Sequence, residues 1–127
     1  MSRLSPWKER AKEELKGLEN ALLPSFDPEM RALDPRGVAW DVEQSIRHGF
    51  ASTMVTAEAG LTPEECKAML EIATRTAAGR IQVSLILLRD SFEETVDLLR
   101  HAESLGVDHA TIGFPPGFRP ADEEDYY

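Results

Sequence analysis

Hydrophobic and polar positions along the chain alternate between two periods. Residues 5–19 have the helical one. Trp7, Ala11, Leu15 and Leu18 recur on one face, and Lys8, Glu9, Arg10, Lys12, Glu13, Glu14 and Lys16 occupy the other. Ser5 can cap this helix and Pro6 suits its first turn. The mixed charges disfavour a membrane-surface helix, so the apolar stripe is expected to cover a barrel end or a subunit partner.

Asn20 to Phe26 (NALLPSF) reads as a short strand that finishes near Pro24, because proline is confined to strand edges and ends. A loop with Pro28, Pro35 and Gly37 follows. A helix is expected from Val38 to His48, with Val38, Val42, Ser45 and Ile46 inward and Gly49 closing it. Phe50 to Val55 predicts a second strand, and Thr56 to Gly60 a polar turn. Thr62, Pro63 and Glu65 form a Thr-x-x-Glu capping box that opens a helix running to Ala78, with Gly79 after it. Ile81 to Leu88 is almost wholly Val, Ile and Leu, as in a strand buried on both faces. Ser91 and Glu94 repeat the capping box. Val96, Leu98, Leu99, Ala102 and Leu105 then mark a helix from Phe92 to Leu105, closed by Gly106. Asp108 to Phe114 predicts a fourth strand, Pro115 to Gly117 a turn, and Pro120 to Tyr127 the first turns of another helix.

Strand and helix thus alternate with a period of about thirty residues, which implies a parallel α/β sheet with right-handed crossovers. Two architectures remain open at this point: a doubly wound open sheet, or the beginning of a (β/α) barrel. The last predicted helix stops with its apolar face unwritten, which favours the barrel. The expected division is 1–19 as an amphipathic helix and 20–127 as the N-terminal half of the barrel.

Composition narrows the classes. The 127 residues suffice for one domain with a core, and 42% are hydrophobic. The formal charge of −9 argues against nucleic acid and anionic membranes as partners. No apolar run approaches a membrane span or a signal-peptide core. Cys66 is the single cysteine, which excludes an internal disulfide and fits a reducing, cytoplasmic setting as a buried thiol. His48, His101 and His109 fall at a helix end, on an outward helix side and at a strand start, without metal spacing. There is no Gly-rich phosphate loop and no Gly-x-Ser-x-Gly elbow. Neither metal nor cofactor is expected.

The turn after the second strand is where α/β proteins place chemistry. It offers Thr53, Thr56 and Glu58 close to a helix N-terminus, which favours anions. Glu58 reads equally as a general base, a partner for a substrate ammonium, or a surface residue. Arg119, beside the fourth turn, reads as a partner for an anionic substrate or as a solvent-facing side chain.

The ordered set of segments resembles the dihydrodipicolinate synthase / N-acetylneuraminate lyase family, class I aldolases and related lyases on a TIM barrel. The likeness runs from about Asn20 to Tyr127. It rests on Pro24-Ser25-Phe26, on Leu61, Thr62 and Glu65, and on Gly79, Arg80 and Val83. It continues through Ala102, Glu103, Gly106 and Asp108, and through Pro115 to Pro120. The resemblance implies a (β/α)8 barrel and a pyruvate-like 2-oxo acid held as a Schiff base by a sixth-strand lysine. It makes Thr56 the catalytic hydroxyl, with Ser25, Thr53, Glu58 and Arg119 binding substrate. This sequence departs from the family in its second-strand loop, Val55 to Gly60, and in Gly117, near the place of the family's relay tyrosine. The lysines here, Lys8, Lys12, Lys16 and Lys67, all fall on predicted helix surfaces, so the Schiff-base lysine is expected elsewhere. A homo-oligomer, or a partner completing the barrel, is implied. The alternative is a non-catalytic half-barrel that pairs with another chain.

Overall fold

A computed structural model describes residues 6–58, 60–115, 117–119, 121 and 122. The elements follow in the order α1 (Pro6–Glu14), β1 (Glu19–Leu22), α2 (Pro35–Arg47), β2 (Ser52–Thr56), α3 (Pro63–Ala77), β3 (Gln82–Leu87), α4 (Phe92–Ser104) and β4 (His109–Ile112). All four strands are parallel and lie in sequential order β1-β2-β3-β4. A doubly wound sheet reverses its strand order at a switch point; this one does not. With crossovers of one hand, α2, α3 and α4 all fall on the same face, where α2 packs on α3 and α3 on α4. Among the described residues the opposite face is bare, as in a segment of barrel wall.

The core lies between the sheet and those helices. Leu22, Val55, Val83, Leu85 and Leu87 meet Val38 and Val42 of α2, Cys66, Met69, Leu70 and Ala73 of α3, and Leu98 and Ala102 of α4. Strand alternation sends Ser52, Met54, Thr56, Gln82, Ser84, Ile86, His109 and Thr111 to the bare face. Two exposed strand edges, on β1 and β4, bound the described sheet.

Several expectations need correction. The first helix ends at Glu14 instead of Leu18 or later, because the chain turns into the sheet. Gly17 adopts φ +92°, a Cβ there would come within 2.7 Å of Ala51 Cβ, and the Ala51 N–H donates to the Leu18 carbonyl at 2.8 Å. Its apolar stripe is not buried: Trp7 is 74% and Leu18 75% exposed. Across a hollow of about 290 Å³, α1 faces Gln82, Asp108 and His109 at the N-terminal ends of β3 and β4. Lys16 lies past the helix. β1 stops at Leu22 because the chain then turns into its loop, where the Ser25 carbonyl accepts from Asp34 N–H at 2.7 Å. α2 begins three residues early, at Pro35. Asp34 caps it by accepting from Arg36 N–H at 3.0 Å, and Gly37 is needed where a Cβ would strike Ser25 Cβ at 2.6 Å. The second capping box is half made. Ser91 Oγ accepts from Glu94 N–H, but the Glu94 carboxylate turns to Arg89. Val96 is 43% exposed instead of inward. His101 is tucked between helices, with Nε2 3.3 Å from Glu71 Oε1 of α3. The helix expected over 120–127 lies almost wholly outside the described residues.

Candidate functional site

The C-terminal ends of the four strands form one rim, and hydrogen bonds tie neighbouring strands together there. Thr56, the last residue of β2, donates its hydroxyl proton to the Leu22 carbonyl at the end of β1, at 3.0 Å. Arg89, just past β3, reaches the turn that follows β2. Its Nη1 donates to the carbonyls of Ala57 at 3.0 Å and Leu61 at 2.9 Å, and its Nε donates to Glu94 at 3.1 Å. Gly113 N–H, past β4, donates to the Leu87 carbonyl at 2.9 Å. Phe118 stacks on Phe114 at 4.9 Å and meets Phe92 edge-on at 5.6 Å, joining the β4 loop to the start of α4.

This geometry sorts the sequence candidates. Thr56 is buried on the bare face. Its proton is committed to Leu22, while its oxygen keeps lone pairs to accept with. Glu58 is exposed at the turn tip and lines a rim hollow of about 650 Å³ with Gly60, Leu61, Thr62, Pro63, Leu88, Arg89 and Asp90. Ser25 sits past β1 and donates to Asp41 of α2 at 3.1 Å. Arg119 lies past β4, where its Nη1 donates to the Phe118 carbonyl at 3.0 Å. Ser25, Thr56 and Glu58 share the rim without hydrogen bonds to one another. Thr53 is different. Three positions before Thr56, it points to the helix side with Val55, is fully buried, and its hydroxyl has no hydrogen-bond partner. It therefore stands behind β2, away from the bare face, and packs in the core.

Two features escaped the sequence reading. Arg89 carries no motif, and its contacts show that it holds the turn. At the other end of the bare face, Glu19 Oε1 accepts from Ser52 Oγ, from Ser84 Oγ at 2.6 Å, and approaches His109 Nε2 at 3.2 Å. One carboxylate oxygen thus joins all four strands. Burial works against its charge, but the two hydroxyls and the histidine outweigh it and hold Glu19 below the usual carboxylate value.

Other groups are structural. Burial pushes the Cys66 thiol up to about 11, with the nearby Arg89 charge opposing. The Lys67 ammonium donates to Asp97 at 2.6 Å, which raises its pKa and keeps it protonated. Among the described residues, no three metal-ligating side chains cluster, and no helix is long and apolar enough to cross a membrane.

No family model matches the chain. It is 33% identical over 111 residues to the 4-hydroxy-tetrahydrodipicolinate synthase of Bartonella henselae, a match covering 84% of this chain and 37% of that protein. The corresponding synthase of Phenylobacterium zucineum is 36% identical over 80 residues, 62% of this chain and 27% of that one. The dihydrodipicolinate synthase structure from Aquifex aeolicus superposes with a TM-score of 0.77 at 27% identity, covering 84% of this chain and 37% of the other. The chain belongs to the dihydrodipicolinate synthase / N-acetylneuraminate lyase family. A catalytic-lysine mutant of the Ruminococcus gnavus sialic acid aldolase aligns at 26% identity with a TM-score of 0.78, over 89% of this chain and 38% of that one. The sheet is thus part of a TIM barrel. The chain spans well under half the length of these relatives, and its bare face corresponds to a barrel interior. Active sites of such barrels sit at the C-terminal rim, the end where Ser25, Thr56, Glu58 and Arg119 gather.

Proposed function

We propose that the chain is part of a class I aldolase-type lyase acting on a pyruvate-like 2-oxo acid through a Schiff-base lysine outside these residues. The observation that carries this reading is the rim itself. Four parallel strands of this family's barrel bring Thr56, Glu58, Ser25 and Arg119 to the end where barrels of this kind react. The relatives named above are dihydrodipicolinate synthases and a sialic acid aldolase whose lysine is described as catalytic.

The roles follow from the geometry. Thr56, pinned by Leu22, presents its oxygen to the barrel interior as a fixed hydrogen-bond acceptor, and relaying a proton requires its hydroxyl to swing its own proton off the Leu22 carbonyl. Glu58 is the exposed base of the rim. Arg119, with Ser25 on the far side, meets the substrate carboxylate. The Schiff base forms when an unprotonated amine attacks the 2-oxo carbon and water leaves. Lys67 is ill placed to supply that amine: it lies in the helix layer, paired with Asp97 of α4 at 2.6 Å, which raises its pKa and disfavours the free amine. Lys8 and Lys12 lie on the exposed α1, and Lys16 just beyond it, all at the opposite end from the rim.

The test is to incubate the full-length protein with pyruvate and borohydride and weigh it. Reduction of the imine fixes the oxo acid, less one water and plus two hydrogens, on the reactive lysine. An adduct on a lysine beyond residue 127 is expected. No adduct, or one on Lys67, would sink the mechanism. The two unpaired edges and the bare face favour a second reading, a half-barrel completed by another chain. A folded monomer of this chain in sedimentation would count against it.

A further inference from the structure

We propose that Arg89 is the positioning residue of the rim, a clamp that fixes the β2–α3 turn and with it the placement of Thr56 and Glu58. The proposal deepens the functional reading above and rests on it for the turn's purpose. Its geometry stands independently. The two carbonyls that Nη1 grips, Ala57 and Leu61, bracket the turn, so one guanidinium fixes both the exit from β2 and the approach to α3. Nε anchors the same group on Glu94, the residue whose N–H is capped by Ser91, so the clamp is braced on the first turn of α4. The side chain is only 15% exposed, against 60% for Arg10 and 47% for Arg80. A surface arginine that merely solvates the protein would not be buried in this way.

The clamp requires arginine's fork. A guanidinium presents several donors in fixed directions and stays charged. A lysine ammonium is a point charge on a flexible stem and cannot reach two carbonyls and a carboxylate in one geometry. The turn needs such help. Gly60 sits at φ +77° with open space around it, and Glu58 at the tip is exposed. Without Arg89 the turn would keep the α3 capping box on one side and the strand on the other, with nothing across its mouth. Arg89 also comes from the next βα unit, so the clamp makes the rim of one unit depend on the loop of its neighbour. That dependence suits a site assembled from several strand ends.

The experiment uses the full-length protein with Arg89→Met and Arg89→Lys. Backbone order parameters of Glu58, Gly60 and Leu61 are measured by NMR, and pyruvate is titrated against the Thr56 and Glu58 amides. In the native chain the turn should be rigid, near about 0.85. It should fall below about 0.6 in Arg89→Met, with the β2 and β3 amides unmoved. Pyruvate affinity should drop about tenfold in Arg89→Met, the scale of one lost charge-assisted hydrogen bond, and Arg89→Lys should recover only part of it. An unchanged turn in both variants overturns the proposal. So does a loosened turn with unchanged pyruvate affinity, which would make Arg89 a stabilising residue only. Full recovery by lysine would refute the need for a fork. A native full-length protein that shows no pyruvate shift while its turn loosens on mutation would refute the functional reading and leave the clamp established.

Discussion

Replacing Glu19 with alanine should destabilise the chain by about 2–4 kcal/mol at neutral pH. The figure follows from what the carboxylate holds. Ser52 and Ser84 are 5% and 1% exposed, and both donate to Glu19 Oε1. Each hydroxyl left without its acceptor costs about 1–3 kcal/mol. His109 adds a third partner at 3.2 Å. The sum is discounted because the Glu19 side chain is one-third exposed, 33%, and water screens and replaces part of the interaction. Glu19→Gln keeps an acceptor and loses only the charge, so about 1 kcal/mol is expected. The pH dependence provides the sharper check. Glu19 is held below 4.5 in the folded chain. A depressed carboxylate contributes stability that is present above the unfolded value and is lost as pH falls through the folded one. The gap between native chain and Glu19→Gln should therefore be full near pH 6 and smaller at about pH 3. Urea unfolding followed by circular dichroism at the two pH values measures it, provided the slope is unchanged. A Glu19→Ala loss within about 0.5 kcal/mol of zero would refute the reasoning. A Glu19→Gln gap that ignores pH would show that the charge is irrelevant.

Other outcomes follow from single contacts. Thr56→Val, equal in shape, should cost about 1–2 kcal/mol by orphaning the Leu22 carbonyl, and should abolish turnover if Thr56 relays the proton; thermal melts and a pyruvate-consumption assay on the full-length protein separate the two effects. Gly17→Ala should cost about 2–4 kcal/mol, combining a left-handed φ with a Cβ driven onto Ala51, as read by chemical denaturation. Thr62→Ala should cost about 1 kcal/mol by removing half of the capping box at α3, in the same measurement. Cys66, pushed up to about 11 and fully buried, should resist a thiol-disulfide reagent at pH 8 until urea unfolds the chain.

The fold was legible wherever a pattern was local. The buried runs of β2 and β3, the Thr62–Glu65 box and the inward stripe of α3 all stand where the periodicity places them. Boundaries failed where tertiary contacts outweighed local preference. Pro35 and Gly37 read as loop residues, yet Asp34 capping and close packing on Ser25 put both inside α2. The stripe of α1 was visible but did not predict burial, since amphipathicity says which face is apolar, not what covers it. At the rim, spacing located Thr56 and Glu58 but could not show that Thr53, three positions earlier, faces the helices. A strand's register and its inward side are decided by its neighbours. Arg89 and Glu19 were invisible for the same reason. Apart from Glu94, five residues from Arg89, their partners lie 28 to 90 residues away in sequence, from Leu61 for Arg89 to His109 for Glu19.

The two ends of the bare face divide the labour of the sheet. At the N-terminal end a single carboxylate oxygen gathers a partner from each of the other three strands, so a strand cannot slide without breaking one of these hydrogen bonds. At the C-terminal end the ties are made largely by loops, through Thr56, Arg89 and Gly113, and each reaches only the neighbouring unit. Loops held in this way can change sequence one at a time while the network at the opposite end keeps the strands in register. That arrangement accounts for a chain whose Val55 to Gly60 loop departs from the family pattern while its sheet superposes on family structures with TM-scores near 0.8.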